Sequence, residues 1–158
     1  MTTVVVVVVL MVAAAVVAAT VVVRSNKKKY ARANEVIPGR ATRAPAEWAG
    51  AHTPEARLHR RLRDAIQALG ANPSMEDSWM LDARVSLEEQ AVAVDERLIA
   101  VAALPERLRA ELLAGVSAAV DAVEAAVAAL VTSPAGRTAV DQAMADVEAR
   151  VAGLEQAG

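Results

Sequence analysis

The chain contains 158 residues, carries a formal net charge of −2 and is 55% apolar. It contains no cysteine, which excludes disulfide bonds and thiolate metal sites. Aromatic residues make up only 2% of the sequence, and phenylalanine is absent. A core must therefore be built from Leu, Val, Ala and Met, which favours closely packed helices over a β-sandwich or a β-barrel.

The small net charge conceals two oppositely charged parts. Residues 24–63 contain 11 Lys or Arg against 3 Asp or Glu, whereas residues 64–158 contain 6 against 16. The first part therefore carries +8 and the second −10. Such an asymmetry indicates that the basic part contacts a membrane surface or another polyanion.

Residues 4–23 form an uncharged run of 20 residues in which Thr20 is the single polar side chain. A helix of this length covers about 30 Å, the thickness of the hydrocarbon core of a bilayer. Twelve of the 20 are Val, which in water favours a strand, but within lipid only a helix satisfies its own backbone hydrogen bonds. The first three residues carry no Lys or Arg, which argues against a cleavable signal peptide. We therefore predict a single uncleaved transmembrane helix, which with its basic flank occupies residues 1–33.

Basic residues follow the apolar run, and none precedes it. Positive flanks stay in the cytoplasm, so the N-terminus is predicted outside the cell membrane and the rest of the chain in the cytoplasm. The flank is interpreted as a topology signal at the lipid headgroups rather than as a site for one particular lipid. Its members are Arg24, Lys27, Lys28, Lys29 and Arg32.

Residues 34–50 contain Pro38, Gly39 and Pro45 without apolar periodicity and are predicted to be a linker. A helix follows, with Thr53 as N-cap and Pro54 at its first position. Its apolar stripe is expected to face a core, and a glycine at position 70 to end it. The stripe consists of Leu58, Leu62, Ala65, Ile66 and Leu69, and the opposite face carries Arg57, Arg60, Arg61 and Arg63.

Three further segments repeat apolar residues at alternating spacings of three and four. This period is typical of antiparallel helices with coiled-coil-like packing. The first should begin after Ser74 as N-cap, and the third after Ser133 as N-cap with Pro134 in the first position. The prediction is an all-α protein in which residues 51–158 form a cytoplasmic bundle of three to four helices. The segments run from Leu87 to Val101, from Leu113 to Leu130 and from Val140 to Leu154.

Pro105 separates the first two of these segments and leaves two arrangements open. It either begins a new antiparallel helix or kinks one long helix by removing the hydrogen bond to Val101. The nearly equal lengths of the two segments favour a hairpin, while the short glycine-free connection at 103–105 favours a kink. We predict the hairpin.

Residues suited to catalysis or metal binding are few. His52 and His59, with Glu55 between them, are the candidate metal ligands, but their spacing departs from the H-E-x-x-H pattern and no second cluster supports them. They are interpreted as solvated histidines beside a basic helix face. The serines lack a strand–turn–helix elbow, adjacent acidic residues point in different directions on a helix, and no glycine-rich phosphate loop is present. No enzyme activity, cofactor or metal is predicted.

The four arginines of the first cytoplasmic helix form a basic stripe, a feature of nucleic-acid-binding proteins. The stripe is short, no aromatic residues interleave with it, and the acidic bundle repels phosphates, so nucleic acid is not the expected partner. We predict that the helix from Pro54 to Leu69 docks on the bundle while Lys27–Lys29 contact the membrane. Trp48 in the linker is expected to pack at the edge of the bundle, with contact to a partner as the alternative.

The expected function is that of a non-catalytic scaffold, tethered to the membrane, which binds a protein partner or a second copy of itself. One alternative is a lipid-responsive peripheral module whose basic amphipathic helix lies on the membrane. Another is an accessory subunit of a larger membrane complex. The Ala-, Val- and Arg-rich composition resembles that of proteins from high-GC bacteria.

Overall fold

A computed structural model describes residues 34–71, 77–132 and 136–156 of the chain. The predicted anchor and its basic flank, residues 1–33, lie outside the described residues. The described part contains helices and no β-strand, which confirms the predicted all-α bundle. Its elements are a 3-10 turn at Ala46–Ala49 and four α-helices, α1 (Pro54–Gly70), α2 (Ser78–Ala102), α3 (Glu106–Thr132) and α4 (Arg137–Gln156).

α1 begins where the sequence predicts and ends at Gly70. The Thr53 hydroxyl accepts a hydrogen bond from the Ala56 N–H across 3.3 Å, and Pro54 occupies the first position, where no intrahelical N–H bond is lost. The predicted apolar stripe faces α2 and α3, and its large members are at most 7% exposed. α1 is therefore docked on the bundle. The buried members are Leu58, Leu62, Ile66 and Leu69.

α2 begins at Ser78, later than the predicted start after Ser74. Asp77 has an extended backbone with ψ at 138°, and its carbonyl accepts the first helical hydrogen bonds. Met80 is the first buried side chain of α2, so tertiary packing supports the helix from this turn onward. Ser74 itself lies outside the described residues.

α4 begins at Arg137, later than the predicted start at Pro134. The carbonyl of Gly136 accepts hydrogen bonds from two N–H groups of the first turn, as an N-cap carbonyl does. Val140 is the first buried side chain of α4, so here too packing begins in the first turn. Ser133 and Pro134 lie outside the described residues.

Pro105 lies in the turn of a helical hairpin, which confirms the predicted arrangement and excludes a single kinked helix. α2 ends at Ala102, α3 begins at Glu106, and the two helices pack against each other. The N–H groups of Ala103 and Leu104 donate to carbonyls of the last turn of α2, and the Pro105 carbonyl accepts the first hydrogen bonds of α3. The connection thus supplies hydrogen-bond partners at both helix ends without a glycine.

α3 is the central helix: α2 also contacts each of the other three helices, but α3 packs against them most extensively. Eight of its side chains are buried, among them Val116, Val120, Val123 and Leu130. Within the described ranges it is the one helix that is long and apolar enough to cross a membrane, judged by length and composition alone. Its position among α1, α2 and α4 accounts for that apolar composition.

Residues 34–50, predicted as a linker, contain no α-helix but are packed against the bundle. Val36 and Trp48 belong to the hydrophobic core, Asn34 is fully buried, and the turn at Ala46–Ala49 contacts α1. We call residues 34–50 the strap. The strap is part of the folded domain, although its apolar residues follow no helical period that would predict this.

Candidate interaction surface

A groove runs along the outside of the bundle between α1 and α3. The two helices run in the same direction, because α2 follows α1 and precedes α3 in the chain and runs in the opposite direction. The groove extends from Pro54 to Ala68 on α1 and from Ala110 to Val131 on α3. The α1 side rises about 21 Å along the helix axis. We call this surface the α1/α3 groove.

Arg61 lies across the middle of the α1/α3 groove. Its Nε and Nη2 donate to the two carboxylate oxygens of Glu124 at 2.9 and 2.6 Å, and Nη2 also donates to Asp121 at 2.6 Å. The hydrogen bonds to Glu124, and next those to Asp121, raise the pKa of Arg61 above its usual range. A bidentate pair of this kind adds geometric specificity, so it fixes the register of α1 on α3.

Arg61 divides the groove into two shallow pockets. The upstream pocket has a volume of about 410 Å³ and the downstream pocket about 500 Å³. Both helices carry alanines here, whose side chains are too small to fill the space between the helices. The upstream pocket is lined by Pro54, Arg57, Leu58 and Arg61 of α1 and by Ala110, Leu113, Ala114 and Ser117 of α3. The downstream pocket is lined by Arg61, Asp64, Ala65 and Ala68 of α1 and by Glu124, Val127, Ala128 and Val131 of α3.

Charged side chains of different sign line the two pockets besides the shared Arg61. Arg57 lines the upstream pocket, is exposed to solvent and forms no ion pair with any residue of the described ranges. Asp64 and Glu124 line the downstream pocket, and the Asp64 side chain is 63% exposed. The α1/α3 groove therefore has an apolar floor, with the exposed Arg57 in its upstream pocket and two carboxylates, paired with Arg61 and Arg63, in its downstream pocket.

The four arginines predicted as one basic stripe have different surroundings. Arg57 and Arg61 belong to the α1/α3 groove. Arg60 Nη1 donates to two backbone carbonyls that precede α1, at 3.0 and 2.6 Å, and so fastens the end of the strap to the helix. Arg63 pairs with the adjacent Asp64, with Nη2 2.7 Å from Oδ1. The other predicted contact residues, Arg24, Lys27, Lys28, Lys29 and Arg32, lie outside the described ranges.

Trp48, the remaining candidate contact residue, is buried. Its ring meets the imidazole of His59 edge-on, with ring centroids 5.5 Å apart and planes inclined at 61°. The ring therefore closes the strap over α1, and its place in the fold is that of a packing residue.

His59 is the centre of a buried polar cluster that joins the strap, α1 and α2. Its Nδ1 lies 2.6 Å from Oδ1 of Asp95 on α2, and its Nε2 lies 2.9 Å from the backbone oxygen of Asn34. The Thr42 hydroxyl donates to the other carboxylate oxygen of Asp95 at 2.9 Å. The Asn34 amide donates to the Pro45 carbonyl at 2.7 Å.

The expectation that both histidines are solvated is wrong for His59, which is fully buried, whereas His52 is exposed. A signal for this burial exists in the sequence. His59 follows Leu58 directly and precedes Leu62 by three positions, which places it on the apolar face of α1. Its partner Asp95 follows the buried Val94 in the same way on α2.

The hydrogen bonds of His59 determine how many protons the cluster holds. A backbone carbonyl only accepts, so Nε2 must carry a proton toward Asn34. A further proton must lie between Nδ1 and the carboxylate of Asp95, because two bare acceptors would repel at 2.6 Å. The imidazole and the carboxylate thus satisfy each other's hydrogen-bonding groups, which is the condition under which polar groups are tolerated in a protein interior.

Glu55, the residue between the two histidines in the sequence, pairs with an arginine of α3. Its carboxylate accepts a hydrogen bond from Arg109 of α3 at 3.1 Å. Burial acts to raise the pKa of Glu55, but hydrogen bonds from its own backbone N–H, from Arg109 and from Thr53 outweigh burial and hold the pKa below its usual range. Within the described ranges, no group of three His, Cys, Asp or Glu residues is placed to hold a metal ion.

Comparisons with known proteins give no assignment. No protein-family model matches the chain, and no curated protein or solved structure is significantly similar to it. The functional assignment therefore rests on the groove, the strap and the buried cluster.

Proposed function

We propose that the chain is a non-catalytic interaction module, tethered to the cytoplasmic side of the cell membrane, that presents the α1/α3 groove to a protein partner. The proposed anchor is the uncharged run at 4–23, oriented by the five basic residues that follow it. The observation that carries the proposal is the attachment of the strap. Asn34, two positions after Arg32, is buried and hydrogen-bonded to α1. A bundle attached so close to the basic flank is held near the headgroups rather than on a long free tether.

The buried cluster supports a non-catalytic function because it lacks the geometry of a triad. In a Ser-His-Asp triad, the imidazole nitrogen remote from the carboxylate faces a hydroxyl nucleophile. Here Nε2 of His59 faces a backbone carbonyl, and the Thr42 hydroxyl donates to Asp95 instead. These groups hold the strap in place, and the imidazole has no nitrogen left to accept a proton from a substrate.

The geometry of α1 favours protein binding over a lipid-responsive function. A helix that moves onto the membrane must first expose its buried apolar stripe and break the pairs that Arg61 forms with Glu124 and Asp121. The basic flank at 24–32 is a nearer source of positive charge for anionic lipid. In this proposal the flank meets the membrane, and α1 stays on the bundle.

Membrane tethering is tested with the full-length chain, whose lack of cysteine permits single-cysteine labelling. A membrane-impermeant maleimide applied to intact cells should label Thr2→Cys and spare Thr138→Cys on the exposed surface of α4. Both variants should stay in the membrane fraction after a carbonate wash. Labelling of Thr138→Cys in intact cells, or release of the chain by carbonate, would contradict the proposed topology.

Binding through the groove is tested by placing a long charged side chain in it. Ala114→Arg occupies the upstream pocket, and Ala145→Arg on the exposed face of α4 is the matched control. After chemical crosslinking in native membranes, the first variant should lose adducts that the control retains, while both keep the melting temperature of the wild type. Identical adducts from the two variants would contradict binding at this surface.

A further inference from the structure

We infer that the partner of the α1/α3 groove is a second copy of this chain, bound antiparallel about a two-fold axis that crosses α1 and α3 at Arg61. The inference rests on the proposed function, since it names the protein that the groove binds. An isologous contact of this kind uses the same surface on both copies and closes after two. The surface must then be complementary to itself when its direction is reversed.

The linings of the two pockets match when the groove is reversed. A two-fold axis at the midpoint brings each position of the upstream pocket opposite one position of the downstream pocket of the other copy. On α3, each apolar pair formed in this way combines an alanine with a larger aliphatic side chain. These pairs are Ala110 with Val131, Leu113 with Ala128, and Ala114 with Val127. Leu113 and Val131 are accessible and can meet a recess of the partner, whereas Val127 is buried in its own copy and lines the floor of the groove.

The polar positions also become complementary on reversal. Ser117 of one copy comes opposite Glu124 of the other, so a hydroxyl donor meets a carboxylate. On α1, Arg57 comes opposite Ala65 and Leu58 opposite Asp64. Asp64 is the chain neighbour of Ala65, and its carboxylate remains 63% exposed although it pairs with Arg63 of its own copy. The two-fold axis repeats both contacts. Arg57, which forms no ion pair with the residues that the structure describes in its own copy, thereby gains one in the dimer.

The charges at the axis do not prevent this association. The two copies of Arg61 meet there, but each is already matched by Asp121 and Glu124 of its own chain. In the parallel orientation, by contrast, the two copies of Arg57 would lie at the same end of the dimer, away from the carboxylate of Asp64 of the other copy. Charge complementarity therefore selects the antiparallel orientation.

The size of the groove predicts a weak dimer. A strip of two helices, about 21 Å long on α1 and about 32 Å long on α3, offers a small contact area beside the roughly 800 Å² per partner of a standard interface. Confinement of both copies to one membrane raises their effective concentration and compensates for a weak contact. Dimers are therefore expected in the membrane at concentrations at which a soluble fragment is monomeric.

Disulfide crosslinking of the full-length chain in membranes tests the orientation. Leu113→Cys and Ala128→Cys are made in two differently tagged copies and co-expressed. In the antiparallel dimer the two positions face each other, while like positions are about 20 Å apart, far beyond the roughly 7 Å separation of Cα atoms that a disulfide allows. The mixed disulfide should exceed either disulfide between like positions about tenfold. Equal yields, an excess of disulfide between like positions, or no crosslink above that of Thr138→Cys on α4 would overturn the inference.

A charge exchange tests the ion pairs. Arg57→Glu and Asp64→Arg should each lower the yield of the mixed disulfide about tenfold, because the symmetry places every substitution in two contacts. The two substitutions combined in one chain should restore it. Arg150→Glu on the exposed surface of α4 is the control and should leave the yield unchanged. Failure of the combined variant to recover would overturn the antiparallel register.

The outcome for the dimer is separable from that for the proposed function. A chain that resists carbonate extraction but forms no mixed disulfide refutes the dimer and leaves the tether intact. A chain that carbonate releases from the membrane refutes the tether, whatever the crosslink shows.

Discussion

Nδ1 of His59 and Oδ1 of Asp95 lie 2.6 Å apart inside the bundle, with side chains that are 0% and 6% exposed. The two residues are 36 positions apart, and the same imidazole also holds the backbone of Asn34, 25 positions before it. Three segments of the chain therefore converge on one ring. Displacing the strap would leave a buried N–H without an acceptor, which penalises alternative packings of this segment.

Substitution of Asp95 separates the loss of a charge from the loss of a hydrogen-bond partner. Asp95→Ala leaves Nδ1 of His59 and the Thr42 hydroxyl without their partner, and we expect the free energy of unfolding to fall by about 3 kcal/mol. In Asp95→Asn the amide can donate to a neutral Nδ1 and accept from Thr42, so the loss should be about 1 kcal/mol. Urea unfolding followed by circular dichroism measures both. Equal losses in the two variants would contradict the hydrogen-bond assignment.

The strap is expected to stabilise the domain although it contains no α-helix. A fragment of residues 47–158 lacks Asn34, Val36 and Thr42, and so loses both a buried valine and two contacts of the polar cluster. Compared with a fragment of residues 34–158, it should remain helical but be less stable by about 3 kcal/mol. Val36→Ala in the longer fragment is the graded control, with an expected loss of about 1–2 kcal/mol. Coincident urea transitions of the two fragments would show that the strap is only a tether.

The centre of α3 is predicted to be the position most sensitive to charge. Val123→Asp buries a carboxylate with no partner among α1, α2 and α4. It should lower the free energy of unfolding by about 4 kcal/mol. Val131→Asp on the same helix is the control, because this side chain is 37% exposed and can keep its charge in water. Thermal melts compare the two. A melting temperature of Val123→Asp equal to that of the control would mean that this face of α3 is solvated.

The contact between Glu55 and Arg109 is expected to be pH-dependent. The pKa of Glu55 is depressed in the folded protein, so the ionised carboxylate stabilises the fold above the pKa of the unfolded chain. That stabilisation is lost as the pH falls through the folded-state pKa. At neutral pH, Glu55→Gln should therefore be less stable than the wild type by about 1 kcal/mol, and below about pH 4 the difference should shrink. Urea unfolding at several pH values measures it, with Glu148→Gln on the exposed face of α4 as the control. A difference that grows toward acidic pH would contradict the assignment.

The features of the fold that could be predicted from the sequence are those determined by residues close together in the chain. The Thr53 cap, the stripe of α1 and the hairpin at Pro105 follow from local chemistry and helical period. The strap has no such local pattern, because it is held by isolated buried side chains, Val36 and Trp48, and by single hydrogen bonds to α1 and α2. The late starts of α2 and α4 have a similar cause, since a local capping pattern does not show where tertiary packing begins.

The candidate surface was only partly predictable for the same reason. A basic face on α1 is evident from the positions of its arginines, but helix geometry alone does not say which of them meets an acidic partner. Arg61 does so because α1 is rotated on α3 until its apolar stripe is buried, and this rotation brings it to Glu124 and Asp121. Arg57, one turn earlier, is left at the open end of the groove.

Charge reversals distinguish the docking of α1 from attachment to the membrane. Reversal of Arg57, Arg60 and Arg61 to Glu removes the pairs of Arg61 with α3 and the bonds of Arg60 to the carbonyls before α1. Amide hydrogen exchange in α1 should then become faster, while binding of fragment 24–158 to anionic liposomes changes little. The physical reason is that Arg60 and Arg61 are engaged by protein groups, and α1 exposes its apolar stripe to lipid only by leaving the bundle.

Reversal of Lys27, Lys28 and Lys29 to Glu is the matched experiment and should have the opposite outcome. Each basic residue near an anionic surface contributes about 1 kcal/mol to binding, and the field decays within a Debye length of about 8 Å at physiological salt. Liposome binding of the 24–158 fragment should therefore fall steeply, the remaining binding should depend less on salt than that of the wild type, and exchange in α1 should not change. If the arginine variant instead abolished liposome binding and left exchange in α1 unchanged, α1 would be the membrane-contacting element, and the lipid-responsive function would replace the one proposed.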